Sequence, residues 1–364
     1  MISTHTEKLT APFLRFGDKS HIAPVVWQRF GSVASYIEPF AGSLAVLLGR
    51  PNDFDPIETI NAKDGFICNF WRAVTADPKQ VAYYVNYPIN ECDLHARHKW
   101  LVERTRSIVS RLKSDLDWFS AKVAGWWAWK QYAWIGSDWC SRRGPWHSII
   151  RHGKEHLEKL LQQRRRKKML PLDVCHSITG NLPFAIDDTT GVLRKRPHLG
   201  DTETGVHRRN ADLLLWFEAL AARLRRVCIY CGDWYRICGG KRGDTITSMF
   251  PRRGANATCG VFLDPPYGKS DGRNPKIYAV DSLTVAGDVR AWAIRYGNNP
   301  KFRIALCGYS SFTMPVDWTV YRWKTTGSYG TQSKNKRGQT NTECDTIWFS
   351  PYCLKTEENI LLSA

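Results

Sequence analysis

Asp264, Pro265, Pro266 and Tyr267 directly follow an apolar run in the stretch VFLDPPYGKS. Two consecutive prolines end a strand, because neither donates to a ladder. The chain must therefore leave the sheet in a stiff, extended turn. The Asp264 carboxylate and Pro265 carbonyl are then held at a strand's carboxyl end, where open α/β sheets bind ligands. Tyr267 adds a flat aromatic face. Two acceptors beside an aromatic platform suit an amino group attached to a flat ring. A second stretch, EPFAGSLAVLL, carries Glu38, Pro39, Phe40, Ala41 and Gly42 between a strand-like and a helix-like segment. Such a turn places free backbone N–H groups at a helix start, where a ligand can bind. Only Gly42 lies in it, so it is not the three-glycine fingerprint of a dinucleotide site.

The segments that must position these residues fall into three textures. From Ala11 to about Ala76, RFGDKSHIAPVVWQRF leads into SYIEPFAGSLAVLLGR, read as strand, turn and helix. ETINAKDGFICNFWRAV then reads as a short strand and a helix with Phe66, Phe70 and Val74 on one face. Residues 77–210 are helix-rich, aromatic and basic, and they break the strand–helix alternation. LHARHKWLVERTRSIVSRLKSDLDWF has helical spacing, Trp126 to Trp146 includes six Trp, and Arg164 to Lys168 are five consecutive cations. From 211 onward the alternation resumes. ADLLLWFEALAARLRRV and SLTVAGDVRAWAIRYGNN read as helices, while VCIYCGDW, CGVFLDPPY and FRIALCGYSS read as strands. The expected fold is a doubly wound α/β sheet interrupted by a helical insert. The sheet comes from residues 1–76 and 211–364.

Composition narrows the function classes. The chain of 364 residues has 52 Lys plus Arg against 34 Asp plus Glu, a net charge of +18, and a pI near 9.5. That balance points to a polyanionic partner. Sixteen Trp beside many Arg suit base stacking and phosphate contact. No apolar run approaches the roughly 18 residues that a membrane span needs. The polar start, Met1 to Thr10, does not read as a secretory leader. Eleven Cys, an odd number scattered through apolar runs, suggest reduced thiols and a cytoplasmic setting. Cys228 and Cys231 form one C-x-x-C pair in a strand-like stretch, with no second pair to complete a zinc site, so no metal is expected.

EPFAG followed, after a long basic insertion, by DPPY resembles the amino-methyltransferases that act on DNA. Glu38 and Asp264, the first acids of the two motifs, lie in the order found in the alpha group, the Dam-like adenine-N6 DNA methyltransferases. RFGDKSHIAP resembles that family's first motif. The resemblance covers Phe13 to Trp71 and about Arg226 to Pro351. It implies a Rossmann-like methyltransferase sheet with an inserted target-recognition domain, S-adenosylmethionine as cofactor and double-stranded DNA as partner. Dam-like enzymes are commonly monomers, and such enzymes are often phage-borne or part of restriction-modification systems. Glu38, Pro39, Phe40, Ala41 and Gly42 would line the cofactor pocket, and Lys19 with Gly17 and Ser20 would close over its methionine part. Asp18 stands where the family often has a glycine.

The family's ribose-binding acid after the second strand has no direct counterpart. Thr59 stands near its place, so Glu58, Asn61 and Asp64 are the candidates. Asp233 resembles the residue near the cofactor's adenine, and it also fits a surface turn. Asp264 and the Pro265 carbonyl would accept the two hydrogens of the target amine, Pro266 would stiffen the turn, and Tyr267 would stack on a flipped base. Arg142, Arg143, Arg164, Arg165, Arg166, Lys167, Lys168, Arg194, Lys195, Arg196, Arg208 and Arg209 are candidate DNA contacts. The same apparatus would serve cytosine N4 or an RNA base, and a binding protein could retain the fold without activity.

Overall fold

The computed structural model describes residues 9–11, 13, 19–88, 91–115, 117–133, 206–239, 257–266, 284–309, 313–323 and 345–355. Within them, seven strands form one mixed sheet in the order β3-β2-β1-β4-β5-β7-β6. The strands are β1 (Ser35–Glu38), β2 (Ile57–Ala62), β3 (Cys228–Cys231), β4 (Cys259–Leu263), β5 (Phe302–Tyr309), β6 (Thr319–Arg322) and β7 (Asp345–Phe349). The first five run parallel. β7 is antiparallel to both β5 and β6. The order reverses between β1 and β4, because the chain goes outward to β3 before returning to the centre.

Side-chain alternation along the central strands builds two cores, one on each face. In β4, Cys259, Val261 and Leu263 face one core, while Phe262 faces the other. In β5, Phe302, Ile304 and Leu306 join the first of these, and Ala305 and Cys307 the second. A buried two-sided strand reads as a continuous apolar run, which is the pattern of CGVFL and FRIALC.

The larger core holds α1 (Ala23–Phe30), α2 (Ala45–Leu48), α3 (Gly65–Ala76), α4 (Pro78–Val85), α5 (Glu91–Ser114), α6 (Ala121–Ala133) and α7 (Val206–Leu224). Local chemistry sets several of their ends. Asp64 accepts the Phe66 N–H at 2.8 Å and Asp77 accepts the Gln80 N–H at 3.0 Å, so each caps a helix. Gly31, at φ 56°, closes α1 in a conformation that a side chain would strain. Gly260 lets α1 approach β4. A Cβ there would sit 2.7 Å from the Phe30 ring. Leu213, Phe217, Leu220 and Leu224 recur at helical spacing and are buried. Phe13, Phe70, Trp71 and Trp127 pack edge-on or tilted with ring centroids 4.9–5.7 Å apart. Helices α4, α5 and α6 thus share their core with the sheet.

The smaller core takes α8 (Tyr235–Cys238) and α9 (Val285–Gly297) on the opposite face. The sequence reading anticipated the five parallel strands and most of the helices. It did not separate β6, and a turn-length helix such as α8 is too short for periodicity to reveal. No described helix is long and apolar enough to cross a membrane.

Candidate active site

Pairing between β1 and β4 ends at Ile37–Val261, and beyond it the two strands part. This is the reversal point of the sheet, where a crevice opens outside the carboxyl ends. Glu38 is the last residue of β1 and Asp264 the first after β4, so the two motifs meet there.

Glu38 is buried at 4% exposure. The Tyr36 hydroxyl donates to its Oε2 at 2.9 Å. Burial pushes the Glu38 carboxyl up to about 8, and the neighbouring Asp264 and Glu58 carboxylates add to that. The Tyr36 hydroxyl and the Leu47 backbone oppose the rise. Tyr36 lies two residues before Glu38 on the same strand. That i, i+2 spacing was readable in SYIE, although sequence reasoning did not draw on it.

Asp264 is a quarter exposed, and its Oδ2 lies 3.4 Å from the Lys19 Nζ, which is itself 7% exposed. Burial raises the Asp264 carboxyl above its ordinary range, and the Lys19 ammonium draws it back down. Lys19 is set by the chain entering α1, where its carbonyl accepts the Ile22 and Ala23 N–H groups. Its ammonium also lies 5.9 Å from the Trp323 ring centroid. Lys19 therefore belongs to the crevice, as expected, but its described partner is the acid of the second motif. Ser20 follows it at the start of α1. Pro265 is buried and Pro266 half-buried, both in the extended exit from β4. Gly17, Asp18 and Tyr267 lie outside the described residues.

The turn after β1 is tied to its neighbours by Asn61. Its Nδ2 donates to the Pro39 carbonyl at 3.0 Å and to the Gly232 carbonyl at 3.1 Å. The Ala41 N–H donates to the Asn61 carbonyl at 2.8 Å. Asn61 is 1% exposed and so fastens the ends of β1, β2 and β3 to one another. The Gly42 carbonyl accepts the Trp71 indole N–H at 3.1 Å. Leu44 then adopts φ 55°, ψ 28° before α2. A left-handed conformation costs a branched residue roughly 1–2 kcal/mol, and the burial of Leu44 holds it there. Phe40 stacks obliquely on Trp234, centroids 5.9 Å apart, and gives the crevice an aromatic wall. Trp234, in CGDW, is the member of this pair that sequence reading passed over.

The other candidates divide by their partners. Glu58, in the first half of β2, is gripped by Arg223, whose two terminal nitrogens each lie 2.6 Å from a Glu58 oxygen, and its Oε1 also lies 3.5 Å from the Arg50 Nε. Thr59 is buried within β2. Asp64 is committed to capping α3. Asp233, after β3, accepts the Tyr235 N–H at 3.1 Å and pairs with Lys63 at 3.5 Å. It is both a turn residue and a group at the right edge of the sheet. The carboxyl end of β2 is Ala62, followed by Lys63 and Asp64.

Arg142, Arg143, Arg164, Arg165, Arg166, Lys167, Lys168, Arg194, Lys195 and Arg196 lie outside the described residues. Arg208 and Arg209 fall in the first turns of α7, and their side chains lie outside the description. Among the described residues, no three His, Cys, Asp or Glu side chains gather into a group that could hold a metal ion. The crevice therefore presents two buried or half-buried carboxyls, one lysine and an aromatic wall at the switch point of the sheet. No protein-family model and no curated protein matches this sequence.

Proposed function

We propose that the protein is a DNA adenine-N6 methyltransferase that uses S-adenosylmethionine. The observation that carries this reading is the meeting of Glu38 and Asp264 where β1 and β4 diverge. A strand order of 3-2-1-4-5 with ligand-binding groups at its reversal point supports nucleotide-type ligand binding. The Asp-Pro-Pro exit from β4 supports the choice of an exocyclic amine as substrate.

The residues present fit the cofactor. Two carboxyls suit a molecule that carries a sulfonium and an ammonium, and the Phe40–Trp234 wall suits an adenine ring. Glu38, Pro39, Phe40 and Gly42 would hold it, with Asn61 fixing the turn. When bound, the cofactor supplies an activated methyl group. The chain's own work is positional. Asp264 and the Pro265 carbonyl accept the two amine hydrogens and so turn the nitrogen lone pair toward the methyl. The cofactor, held by these residues, would supply the methyl to that lone pair and would leave as a neutral thioether. The extra proton on nitrogen passes to Asp264 and then to water. Placed dipoles and alignment supply most of the rate gain. The target base must leave the duplex to reach the crevice, at a cost of a few kcal/mol.

Mass spectrometry of nucleosides from DNA incubated with the protein and S-adenosylmethionine tests this. One added methyl on deoxyadenosine is expected, and none with heated or Asp264→Ala protein. Methylated deoxycytidine would keep the chemistry and change the base. Bound cofactor with no modified nucleoside would overturn the reading.

A further inference from the structure

Helix α5 has a charge pattern that the crevice does not use. Its 24 residues span roughly 36 Å. Leu94, Leu101, Ile108 and Leu112 are buried on one side. The other side exposes Lys99, Arg104, Arg106, Arg111 and Lys113, against Glu103 and, nearer the start of the helix, Asp93, which pairs with Arg97. These cations form two rows. Lys99, Arg106 and Lys113 recur every seven residues along one flank, and Arg104 and Arg111 do so along the other. Seven residues are nearly two turns, so each row stays almost in line. Between the rows lie Glu103, Ser107, Ser110 and Ser114, all exposed, so the strip is small except for one acid near its middle. Among the described residues no acid pairs with Lys99, Arg106, Arg111 or Lys113, and Arg104 approaches only Glu103, at 3.9 Å. Arg104 is braced over the Trp100 ring at 4.2 Å and Arg111 over Trp118 at 5.6 Å, which stiffens the second row.

The helix is also placed toward the crevice. A Cβ on Gly65 would sit 2.7 Å from Val109, so the last turns of α5 cross the start of α3, just beyond the carboxyl end of β2. Lys113 stands near enough to β3 to favour the Cys231 thiolate, after the larger effect of the Cys68 hydrogen bond.

Building on the reading of DNA as substrate, we infer that α5 lies along the duplex. Its two cation rows meet the phosphates on either side of the major groove, and Ser107, Ser110 and Ser114 face the groove floor together with Glu103, a carboxylate that can accept from a cytosine amino group. A helix about 10–12 Å across fits a B-form major groove about 12 Å wide. The deep, narrow major groove of duplex RNA does not admit it. Serines leave the helix thin between the rows and can donate to or accept from base edges.

The test is fluorescence anisotropy with a labelled duplex, as a salt titration. The wild type is compared with a triple variant, Lys99→Ala, Arg106→Ala and Lys113→Ala. A control triple, Arg225→Ala, Arg226→Ala and Lys301→Ala, removes the same charge from the opposite, amino edge of the sheet. Each lost phosphate contact lowers the slope of log K against log salt by about 0.9. The α5 triple is therefore expected to lose roughly 2–3 in slope and at least tenfold in affinity, with the control nearly unchanged. Ser110→Glu, a single change on an exposed position, is expected to weaken binding at least fivefold with an unaltered melting temperature. Equal slopes in both triples, or tighter binding to duplex RNA than to DNA, would overturn the assignment. Slope loss in the α5 triple without any methylated nucleoside would uphold the surface and remove the methyltransferase reading. Methyl transfer with an unchanged slope would remove the surface alone.

Discussion

The Lys19 ammonium and the Asp264 carboxylate, from segments far apart in the chain, form an ion pair of 3.4 Å inside the crevice. Burial raises the Asp264 carboxyl and Lys19 offsets part of that rise, so the lysine favours the ionised form of the acid. Under the proposed mechanism, Lys19→Met should shift the acid limb of the rate–pH profile to higher pH, because the protonated acid cannot take up the proton that the amine releases. Lys19→Arg should restore much of the profile. Measuring the initial rate of methyl transfer from pH 5 to 9 at saturating cofactor checks this. A uniform loss at every pH, with the limb unmoved, would mean that Lys19 acts on cofactor binding instead.

Glu38 makes the fold itself sensitive to pH. Its carboxyl is raised from an ordinary 4.5 to about 8. The folded state therefore holds a proton that the unfolded chain releases. Stability from this group is fully present below about 4.5 and is lost as pH rises through about 8. The groups facing it are the Tyr36 hydroxyl and the Asp264 and Glu58 carboxylates. Glu38→Gln keeps an acceptor for Tyr36 and removes the titration. Thermal melts at pH 5, 6.5 and 8.5 should show the wild type falling on the order of a few kcal/mol relative to the variant. Parallel curves would place the proton elsewhere. A cationic ligand at the crevice favours the ionised form, so ligand binding near pH 7 should release a proton.

The parts of this arrangement legible in the sequence were those with a local cause. EPFAG and DPPY announce a strand that must stop and turn, and both sit at strand ends. Phe66, Phe70 and Val74 show a helical face, and all three are buried. Partnerships between distant segments were not legible. Nothing near Glu58 in the chain signals Arg223, and nothing near Lys19 signals Asp264. Asn61 reads as an ordinary polar residue in TINAKD, yet the sheet order makes it the tie between three strand ends. Thr59, near the place where the resemblance implies an acid, shows the converse limit. A family pattern carries over only where the residues themselves do.

The Glu58–Arg223 pair stabilises the far end of β2. Both partners are nearly buried, at 4% and 14% side-chain exposure, and the two short contacts are bidentate. Arg223 also donates to the Leu47 carbonyl at 2.7 Å. Removing Arg223 leaves the buried Glu58 carboxylate with Arg50 alone, whose Nε lies 3.5 Å from its Oε1, so the cost falls toward the lower end of the about 3–5 kcal/mol of an uncompensated buried charge. Arg223→Met should therefore destabilise the protein strongly, and Glu58→Gln with Arg223→Met should recover part of the loss. Urea unfolding of the two single variants and the double gives the coupling. Additive losses would mean that the two side chains act independently.

Cys68 and Cys231 form an unequal pair of thiols, one raised and the other lowered. Cys68 is buried in α3, and its Sγ lies 3.3 Å from the Ala62 carbonyl and 3.4 Å from the Tyr230 carbonyl. Its hydrogen bond to Cys231 draws the Cys231 thiol down to about 7 while raising its own. Cys231 is half-buried at the end of β3, and Cys228, three residues earlier, is exposed. Exposure alone would make Cys228 the faster to react. Thiolate character argues the other way, because at pH 7.5 most of Cys231 is ionised. Brief iodoacetamide treatment followed by peptide mass spectrometry should find Cys231 carboxamidomethylated ahead of Cys228 at pH 6.5–7.5, with the difference closing by pH 9. Cys68→Ala removes the donor and should reverse the order at neutral pH. Labelling of Cys228 first in the wild type would show that access, not the Cys68 hydrogen bond, governs this strand end.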